Sequence, residues 1–184
     1  MAVTPMLNHI TMIIRNRHTK QDDSAHAAVT MLFIETGGTL KVLLVMRAIR
    51  TGYPWSGNMA FPGGRRDHGD PDLMATAYRE TQEETGIDLT HCKTIGPLDG
   101  LHSTVIPDLC IQPFMFFCKD PPEMVLNEEL IAHYWIPLEE LDVSRGKTRV
   151  GPREVPAYLL KGKVIWGLTY RMLEKVFDIL NGET

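Results

Sequence analysis

Three glutamates lie close together in the middle of the chain, at Glu80, Glu83 and Glu84. On an α-helix, residues three and four positions apart are neighbours, so the three carboxylates would occupy about a third of the helix circumference. Like charges at these spacings repel each other, and a cation must compensate for them. Arg79 is placed to pair with Glu83, and hard divalent cations that bind through carboxylates and substrate phosphates would compensate better. The cluster therefore predicts a Mg²⁺ or Mn²⁺ site.

The residues around the cluster strengthen this prediction. An isolated Glu-x-x-Glu-Glu is more typical of a solvated helix face. Here a Gly63-Gly64 turn precedes the cluster, Asp70 stands six residues after the second glycine, and Gly86 closes the segment. This context favours a functional site over a solvated surface.

A helix over residues 70–86 is expected to carry the carboxylates. Asp70 is a favoured N-cap, Pro71 would occupy the first helical position, and Gly86 is a natural residue at the carboxyl-terminal cap. An apolar stripe at helical spacing would pack on a sheet, with the carboxylates beside it at the edge of the core: Met74, Ala77, Tyr78 and Thr81.

The segment resembles the signature of the Nudix hydrolases, Gly-x5-Glu-x7-Arg-Glu-x2-Glu-Glu-x-Gly. The residues that match are Gly64, Arg79, Glu80, Glu83, Glu84 and Gly86. Asp70 stands where the first Glu is expected, and eight residues instead of seven separate it from Arg79. Both departures are similar to the coenzyme A pyrophosphatase branch, as are residues 57–64 and 165–169. Trp55 and Asn58 stand where that branch usually shows His and Gln.

The resemblance implies roles for individual residues. Glu80 and Glu84 would be the principal metal ligands, with Glu83 auxiliary and a backbone carbonyl near Gly63 or Gly64 as an added ligand. Arg79 would orient the carboxylates. Our candidate catalytic residues are Arg79, Glu83 and Glu84. The candidate metal-binding residues are Gly64, Glu80, Glu83 and Glu84. The candidate phosphate-binding residues are Arg47, Arg50, Arg65 and Arg66.

The general base stays open at this point, with Glu84, Glu128 and Glu129 as alternatives. The substrate also stays open. Coenzyme A or acyl-coenzyme A is the first expectation, and another dinucleotide, nucleotide sugar or nucleoside triphosphate is the alternative. A nucleotide-binding module without activity ranks below both, because such modules typically lose carboxylates that are present here.

The remaining patterns predict an α/β (α+β) fold, which the resemblance specifies as an α/β/α sandwich with a central mixed sheet. Strands are expected at residues 27–34, 40–46, 111–118 and 134–136, a short helical turn at 138–141 and a helix at 165–180. Residues 1–26 are polar and weakly patterned, which predicts a loose or packed-over arm ahead of a Nudix domain at 27–184.

The composition sets limits on partners and compartment. The 184 residues carry a formal net charge of −4, which disfavours a nucleic-acid partner and leaves room for a small nucleotide-type substrate. No apolar run approaches membrane-spanning length. Cys92, Cys110 and Cys118 form no Cys-x-x-Cys pair, which predicts free thiols, a cytoplasmic location and no zinc site. A homodimer is possible.

Overall fold

The computed structural model describes residues 5–16, 22, 24–49, 57–104, 106 and 108–182. Four α-helices are described: α1 (Pro5–Asn16), α2 (Leu73–Thr85), α3 (Leu138–Val143) and α4 (Gly167–Asn181), with a 3-10 turn at Leu89–His91. The strands are β1 (Ala27–Thr36), β2 (Thr39–Arg47), β3 (Met59–Ala60), β4 (Gly63–Arg65), β5 (Lys93–Pro97), β6 (Leu101–His102), β7 (Cys110–Cys118), β8 (Leu130–Pro137), β9 (Arg145–Val150), β10 (Arg153–Leu160) and β11 (Lys163–Trp166).

The central sheet is mixed. Its main path runs β3-β2-β1-β7-β5, while β4 pairs with β1, β6 with β7 and β8 with β2. β1 and β7 run parallel, with Ala27 opposite Ile111, and the other pairs in this sheet are antiparallel. β1 and β2 form the predicted hairpin through Gly37 and Gly38, whose φ angles of 60° and 79° suit the turn that matches strand twist.

Both faces of this sheet are covered, because its central strands are apolar on both sides. On β1, Met31 and Phe33 belong to a core that also contains residues of α1, α3, α4 and the small sheet of β9, β10 and β11. Leu32 and Ile34 point to the other face and belong to a second core beneath α2. The predicted α/β/α sandwich with a central mixed sheet is therefore confirmed.

The carboxylate helix begins later than predicted. Asp72, not Asp70, is the N-cap, and its side chain accepts a hydrogen bond from Ala75 N–H at 2.8 Å. Asp70 is instead buried against Arg79, and α2 starts at Leu73. The end of the helix at Gly86 is as predicted, with φ of 73° in the left-handed region.

Two parts of the fold were not predicted from the sequence. The N-terminal segment contains α1, whose Leu7, Ile10 and Ile14 are buried in the core, so this part of the predicted arm packs over the sheet. Whether the domain begins at residue 27 stays a prediction. Strands β9, β10 and β11 form a separate antiparallel sheet packed against α4 and β3.

The prediction of three free thiols is wrong, because the structure joins Cys92 to Cys118 in a disulfide and leaves only Cys110 free among the described cysteines. The physical reason is strand register. Lys93 pairs with Phe117, which places Cys92 beside Cys118 across the antiparallel ladder. A spacing of 26 residues in the sequence does not reveal this pairing.

Candidate active site

The glycine turn holds Glu84 through a backbone hydrogen bond. Gly63 N–H donates to Glu84 Oε2 at 2.9 Å, from β4 to α2. Gly63 has φ of 147°, and a Cβ at this position would lie 2.2 Å from the carbonyl oxygen of Ala28. Both its backbone conformation and the proximity of β1 therefore exclude any other residue. The glycine is needed to bring its N–H to the carboxylate.

Glu84 lies on the buried face of α2, with 3% of its surface exposed. Burial disfavours the charged form and, as the largest cause, raises the pKa of Glu84 to about 7. The hydrogen bond from Gly63 and the guanidinium of Arg47, 3.7 Å away, oppose this shift, while Glu80 and Glu129 add to it. The charged form of Glu84 is therefore incompletely compensated within the protein, which favours the binding of a cation beside it.

The guanidinium of Arg79 uses all five of its N–H donors within the protein. Nε and Nη2 form a bidentate pair with Asp70 at 3.0 and 2.8 Å, and Nη2 also donates to Arg65 O at 3.1 Å. Nη1 donates to Glu80 Oε1 at 2.9 Å and to Glu83 Oε2 at 3.0 Å. Arg79 therefore fixes two of the three clustered carboxylates, as the sequence predicted, and has the geometry of a positioning residue.

Asp70 is the buried counter-charge that holds Arg79. Its side chain is 7% exposed and also accepts hydrogen bonds from Thr76 Oγ1 at 2.9 Å and Asp67 N–H at 3.0 Å. The bond from Arg79, followed by those from Asp67 and Thr76, keeps the pKa of Asp70 well below its usual range in spite of burial. Asp70 is therefore ionised and held in place by its partners. Its position in the sequence, where the signature has a Glu, did not reveal this role.

Glu80 lies over the second glycine of the turn. A Cβ on Gly64 would come within 2.5 Å of the Glu80 carboxyl, so the Gly64 backbone and this carboxylate are in close contact. Burial raises the pKa of Glu80, Arg79 opposes that shift, and the charges of Glu83 and Glu129 add to it. Two predicted metal residues, Gly64 and Glu80, are thus adjacent.

A fourth carboxylate reaches the cluster from the loop before β8. Glu129 Oε2 lies 3.4 Å from Arg47 Nη2, and the same guanidinium faces Glu84. Asn127 fastens this loop, because its N–H donates to Glu84 O at 3.0 Å and its Oδ1 accepts from Glu129 N–H at 2.9 Å. Of the three candidate bases, the structure brings Glu84 and Glu129 together, whereas Glu128 is exposed.

The predicted phosphate-binding arginines lie in different environments. Arg47 faces the carboxylates. Arg66 holds the loop ahead of α2, donating to Asp70 O at 3.1 and 3.2 Å and to Pro71 O at 2.7 Å. The side chain of Arg65 is exposed, and Arg50 lies outside the described residues.

The aromatic and histidine candidates contribute less to the site. Phe61 is 3% exposed and belongs to the core, so its ring anchors the loop and is not available to stack on a base. Trp55 lies outside the described residues, and His68 and His102 are exposed.

Buried hydroxyls attach α2 to β1, a feature the sequence analysis missed. Thr81 Oγ1 donates to Thr30 Oγ1 at 2.7 Å, and Thr30 Oγ1 donates to Ala77 O at 3.4 Å. Thr81 was assigned only to an apolar stripe, and its partner on β1 could not be identified without the fold. These bonds fix the rotation of α2, and hence the side on which Glu84 is buried.

The glycine turn and the helix-borne carboxylates, held on an α/β/α sandwich, offer oxygen ligands of the kind that hard divalent cations prefer. The NUDIX domain family matches residues 24–159. The chain belongs to the Nudix hydrolase family, whose members bind small nucleotide-type substrates and generally use divalent metal ions; it is an enzyme acting on a nucleoside diphosphate derivative.

Similar proteins extend over most of the chain. The human mitochondrial coenzyme A diphosphatase NUDT8 is 31% identical over 169 residues, covering 85% of this chain and 70% of that protein. Nudix hydrolase 3 of Caenorhabditis elegans is 26% identical over 207 residues, covering 98% and 85%. An uncharacterized protein of Schizosaccharomyces pombe is 39% identical over 116 residues, but the match spans only 35% of that protein.

Solved structures show the same fold. A MutT/nudix family protein from Enterococcus faecalis is matched with a TM-score of 0.58 and 15% identity, over 99% of this chain and 76% of that one. An Ap4A hydrolase from C. elegans is matched with a TM-score of 0.52 and 23% identity, over 61% and 80%. At these identities the likeness concerns the fold alone.

The donor set fits a hard divalent cation. Glu84 is buried with a raised pKa, and the charges of Glu80 and Glu129 raise it further. A dication beside these oxygens would offset both the burial and the repulsion. Because oxygen donors suit Mg²⁺ and Mn²⁺, the residues present match the ions that the sequence predicted.

Among the described residues, no helix is both long and apolar enough to cross a membrane.

Proposed function

We propose that this chain hydrolyses the diphosphate linkage of coenzyme A or an acyl derivative, with Mg²⁺ or Mn²⁺ as cofactor. The observation that carries the hydrolytic part is the placement of Glu84, a buried carboxyl with a pKa of about 7, beside Glu80 and Glu129. The similarity to a human coenzyme A diphosphatase over 85% of the chain supports the choice of substrate.

Glu80, Glu83, Glu84 and the backbone of Gly64 would hold the cations. Bound there, the cations supply neutralisation of the diphosphate oxygens and a lowered pKa for coordinated water. The chain itself orients the ligands, because Arg79 fixes Glu80 and Glu83 while Gly63 N–H fixes Glu84.

Glu129 and Glu84 are the two candidates for the proton acceptor. Glu84 is engaged by Gly63 N–H and fully buried, which suits a ligand. The Glu129 side chain is 45% exposed and pairs with Arg47 on the same side of the site, which suits a base that must reach water. We therefore assign the base to Glu129. Glu129→Gln should lower kcat with little change in metal affinity, whereas Glu84→Gln should change both.

The 3′-phosphate of coenzyme A distinguishes it from flavin and NAD substrates, and a cation must meet it. Arg66 is committed to the loop carbonyls, and Arg47 to Glu84 and Glu129. The exposed Arg65 and the predicted Arg50 are thus the better candidates. A charge-assisted contact contributes about 1.5–3 kcal/mol, so coenzyme A should exceed 3′-dephospho-coenzyme A about ten- to a hundredfold in kcat/KM.

The test is a hydrolysis panel of coenzyme A, its 3′-dephospho form, NADH, an Ap4A-type dinucleotide and a nucleotide sugar, with Mg²⁺ or Mn²⁺. Coenzyme A should yield a 3′-phosphorylated adenosine nucleotide and a phosphopantetheine, and chelation should abolish turnover. Arg65→Ala or Arg50→Ala should remove the preference for the 3′-phosphate. Arg153→Ala, an exposed arginine on β10, is the matched control.

The outcomes separate two failures. Faster turnover of another diphosphate would replace the substrate assignment and leave the metal-dependent reaction intact. Binding of every nucleotide without turnover would indicate the non-catalytic module. Full activity after exhaustive chelation would contradict the cofactor. A cytoplasmic location and a homodimer remain predictions from the sequence, which fractionation and sedimentation would test.

A further inference from the structure

A second group of metal-ligating side chains lies outside the carboxylate helix. The carboxylate of Asp22, the imidazole of His102 and the thiol of Cys110 come from three chain segments, and one ligand atom of each lies within 4.8 Å of the other two. His102 and Cys110 are directly opposite on β6 and β7, so the strand register places their side chains on the same face. Asp22 precedes β1 and reaches the same point.

Hydrogen bonds outside the ligand atoms hold this group in place. Gln112 Oε1 accepts from Asp22 N–H at 2.8 Å, and Ser24 N–H and Oγ donate to Asp22 Oδ1 at 2.9 and 2.6 Å. The other oxygen, Oδ2, accepts a hydrogen bond from the Cys110 thiol, with Sγ 3.4 Å away. Arg171 Nη1 donates to His102 O at 2.7 Å. Such supporting bonds orient ligands in known metal sites.

The spacing and the surrounding backbone are those of a small-ion site. Metal–ligand bonds of about 2.0–2.3 Å place two ligand atoms of a tetrahedral zinc site about 3.4–3.6 Å apart. The distance of 3.4 Å between Oδ2 and Sγ agrees with this value. A Cβ on Gly100 would lie 2.9 Å from Asp22 Oδ2 and 3.2 Å from Cys110 Sγ, so a glycine leaves open the space beside the two ligand atoms.

We propose that Asp22, His102 and Cys110 bind a borderline transition-metal ion of the Zn²⁺ class. The oxygen, nitrogen and sulfur donors suit Zn²⁺ or Co²⁺, whereas the oxygen cluster on α2 suits Mg²⁺ or Mn²⁺. On binding, the Cys110 thiol loses its proton to solvent and its sulfur bonds the metal, so one thiolate and one carboxylate neutralise the dication. The ion ties the segment before β1 to the β6–β7 pair. This assignment revises the expectation of no zinc site, which considered only cysteine spacing.

Titration of the whole chain with Co²⁺ tests the proposal by a spectroscopic signal. A thiolate ligand gives a near-ultraviolet charge-transfer band that carboxylates do not give, so the α2 cluster does not contribute to it. The band should appear with one equivalent of Co²⁺ and disappear on adding Zn²⁺. Cys110→Ser should abolish it, and His102→Asn should weaken Co²⁺ binding more than about a hundredfold, beyond the loss of about ten- to a hundredfold that removal of a supporting residue causes.

Three controls isolate the site. Glu84→Gln and the double variant Cys92→Ser/Cys118→Ser should keep the band, since neither changes a proposed ligand. Gly100→Ala should weaken Co²⁺ binding without removing a ligand, because its methyl group occupies the open space. His102 is exposed, so His102→Asn should keep the wild-type melting temperature without metal and lose the increase produced by Zn²⁺.

A wild-type chain without the band, or a band that survives Cys110→Ser, would overturn the proposal. So would a band lost only in the Cys92/Cys118 variant, which would move the thiolate ligand to that pair. The proposal does not rest on the hydrolytic activity, and none of these measurements depends on turnover.

Discussion

One carboxylate in the loop before α2 and one near the carboxyl end of that helix both have side chains of low solvent exposure, and their pKa values shift in opposite directions. The side chains of Asp70 and Glu84 are 7% and 4% exposed. Asp70 receives a bidentate arginine, a hydroxyl and a backbone N–H, and its pKa falls well below the usual range. Glu84 receives one backbone N–H and an arginine at 3.7 Å, and its pKa rises to about 7.

Burial alone therefore does not decide the charge of a carboxyl in this site. The number and distance of the compensating donors decide it. At Asp70 the protein supplies full compensation, and the result is a fixed support for Arg79. At Glu84 compensation is incomplete, and the deficit is what a metal ion would supply. The comparison separates a structural acid from a functional one more clearly than the sequence pattern, in which both are signature positions.

The largest expected effect is on catalysis by Glu84→Gln. The amide keeps the shape of the side chain and removes its charge, so kcat should fall on the order of a hundredfold or more. Steady-state kinetics with Mg²⁺ and Mn²⁺, alongside circular dichroism to check the fold, measures this loss. Turnover within a few-fold of the wild type would show that the charge of Glu84 is not required for catalysis.

Asp70→Asn should act mainly on stability. Breaking one partner of the buried pair leaves the Arg79 guanidinium with fewer acceptors, and the free energy of unfolding should fall by about 2 kcal/mol at neutral pH. Because the folded pKa of Asp70 is depressed, this contribution is fully present above the unfolded pKa of 3.8 and is lost progressively as pH falls from there through the folded pKa, so the loss should be smaller at pH 3 than at pH 7. Urea unfolding at pH 7 and pH 3 checks the sign, and an equal loss at both pH values would contradict it.

Arg79→Lys tests whether Arg79 positions the carboxylates through the geometry of its guanidinium and not only through its charge. Lysine keeps the charge but cannot donate in the five directions that reach Asp70, Glu80 and Glu83. We expect kcat to fall about tenfold, with a higher metal concentration needed for half-maximal activity. A metal requirement equal to that of the wild type would show that Arg79 does not position the ligands.

The smallest expected effect is a gain in stability from Glu84→Gln without metal. A carboxyl whose folded pKa is raised from 4.5 to about 7 destabilises the folded state progressively as pH rises through that interval. In chelator, the variant should therefore be more stable than the wild type above pH 7 and equal to it below pH 4.5. Mg²⁺ should reduce the difference. A less stable variant at pH 8 would mean that Arg47 already compensates Glu84.

Local signals in the sequence were sufficient for the hairpin at Gly37-Gly38, the end of α2 at Gly86 and the composition of the carboxylate cluster. Features that depend on contacts with residues distant in the sequence could not be predicted from such signals. Asp70 satisfies the rules for an N-cap as well as Asp72 does, and only the position of Arg79 distinguishes them. The approach of Glu129 to the cluster depends on β8 pairing with β2, which no short pattern encodes.

The Cys92–Cys118 disulfide was not predicted for the same reason, because it depends on β5 lying beside β7. The strands β9 to β11 were missed because they carry many charges and few fully buried residues. In β9, exposed residues alternate with partly buried ones, and three of the exposed residues are Arg145, Lys147 and Arg149. Such a small sheet needs α4 to cover one face, so its own sequence carries a weak signal.

The parallel pairing of β1 with β7 has a consequence for how the protein is made. Ala27 finds its neighbour only when Ile111 has been synthesised, and the glycine turn and α2 lie in the loop that this pairing closes. Closing so long a loop is slow compared with forming a hairpin. A growing chain that ends before β7 therefore leaves one edge of β1 without its parallel partner. The centre of the sheet is thus completed only after most of the domain has been translated, and until then the apolar residues of β1 lack part of their cover.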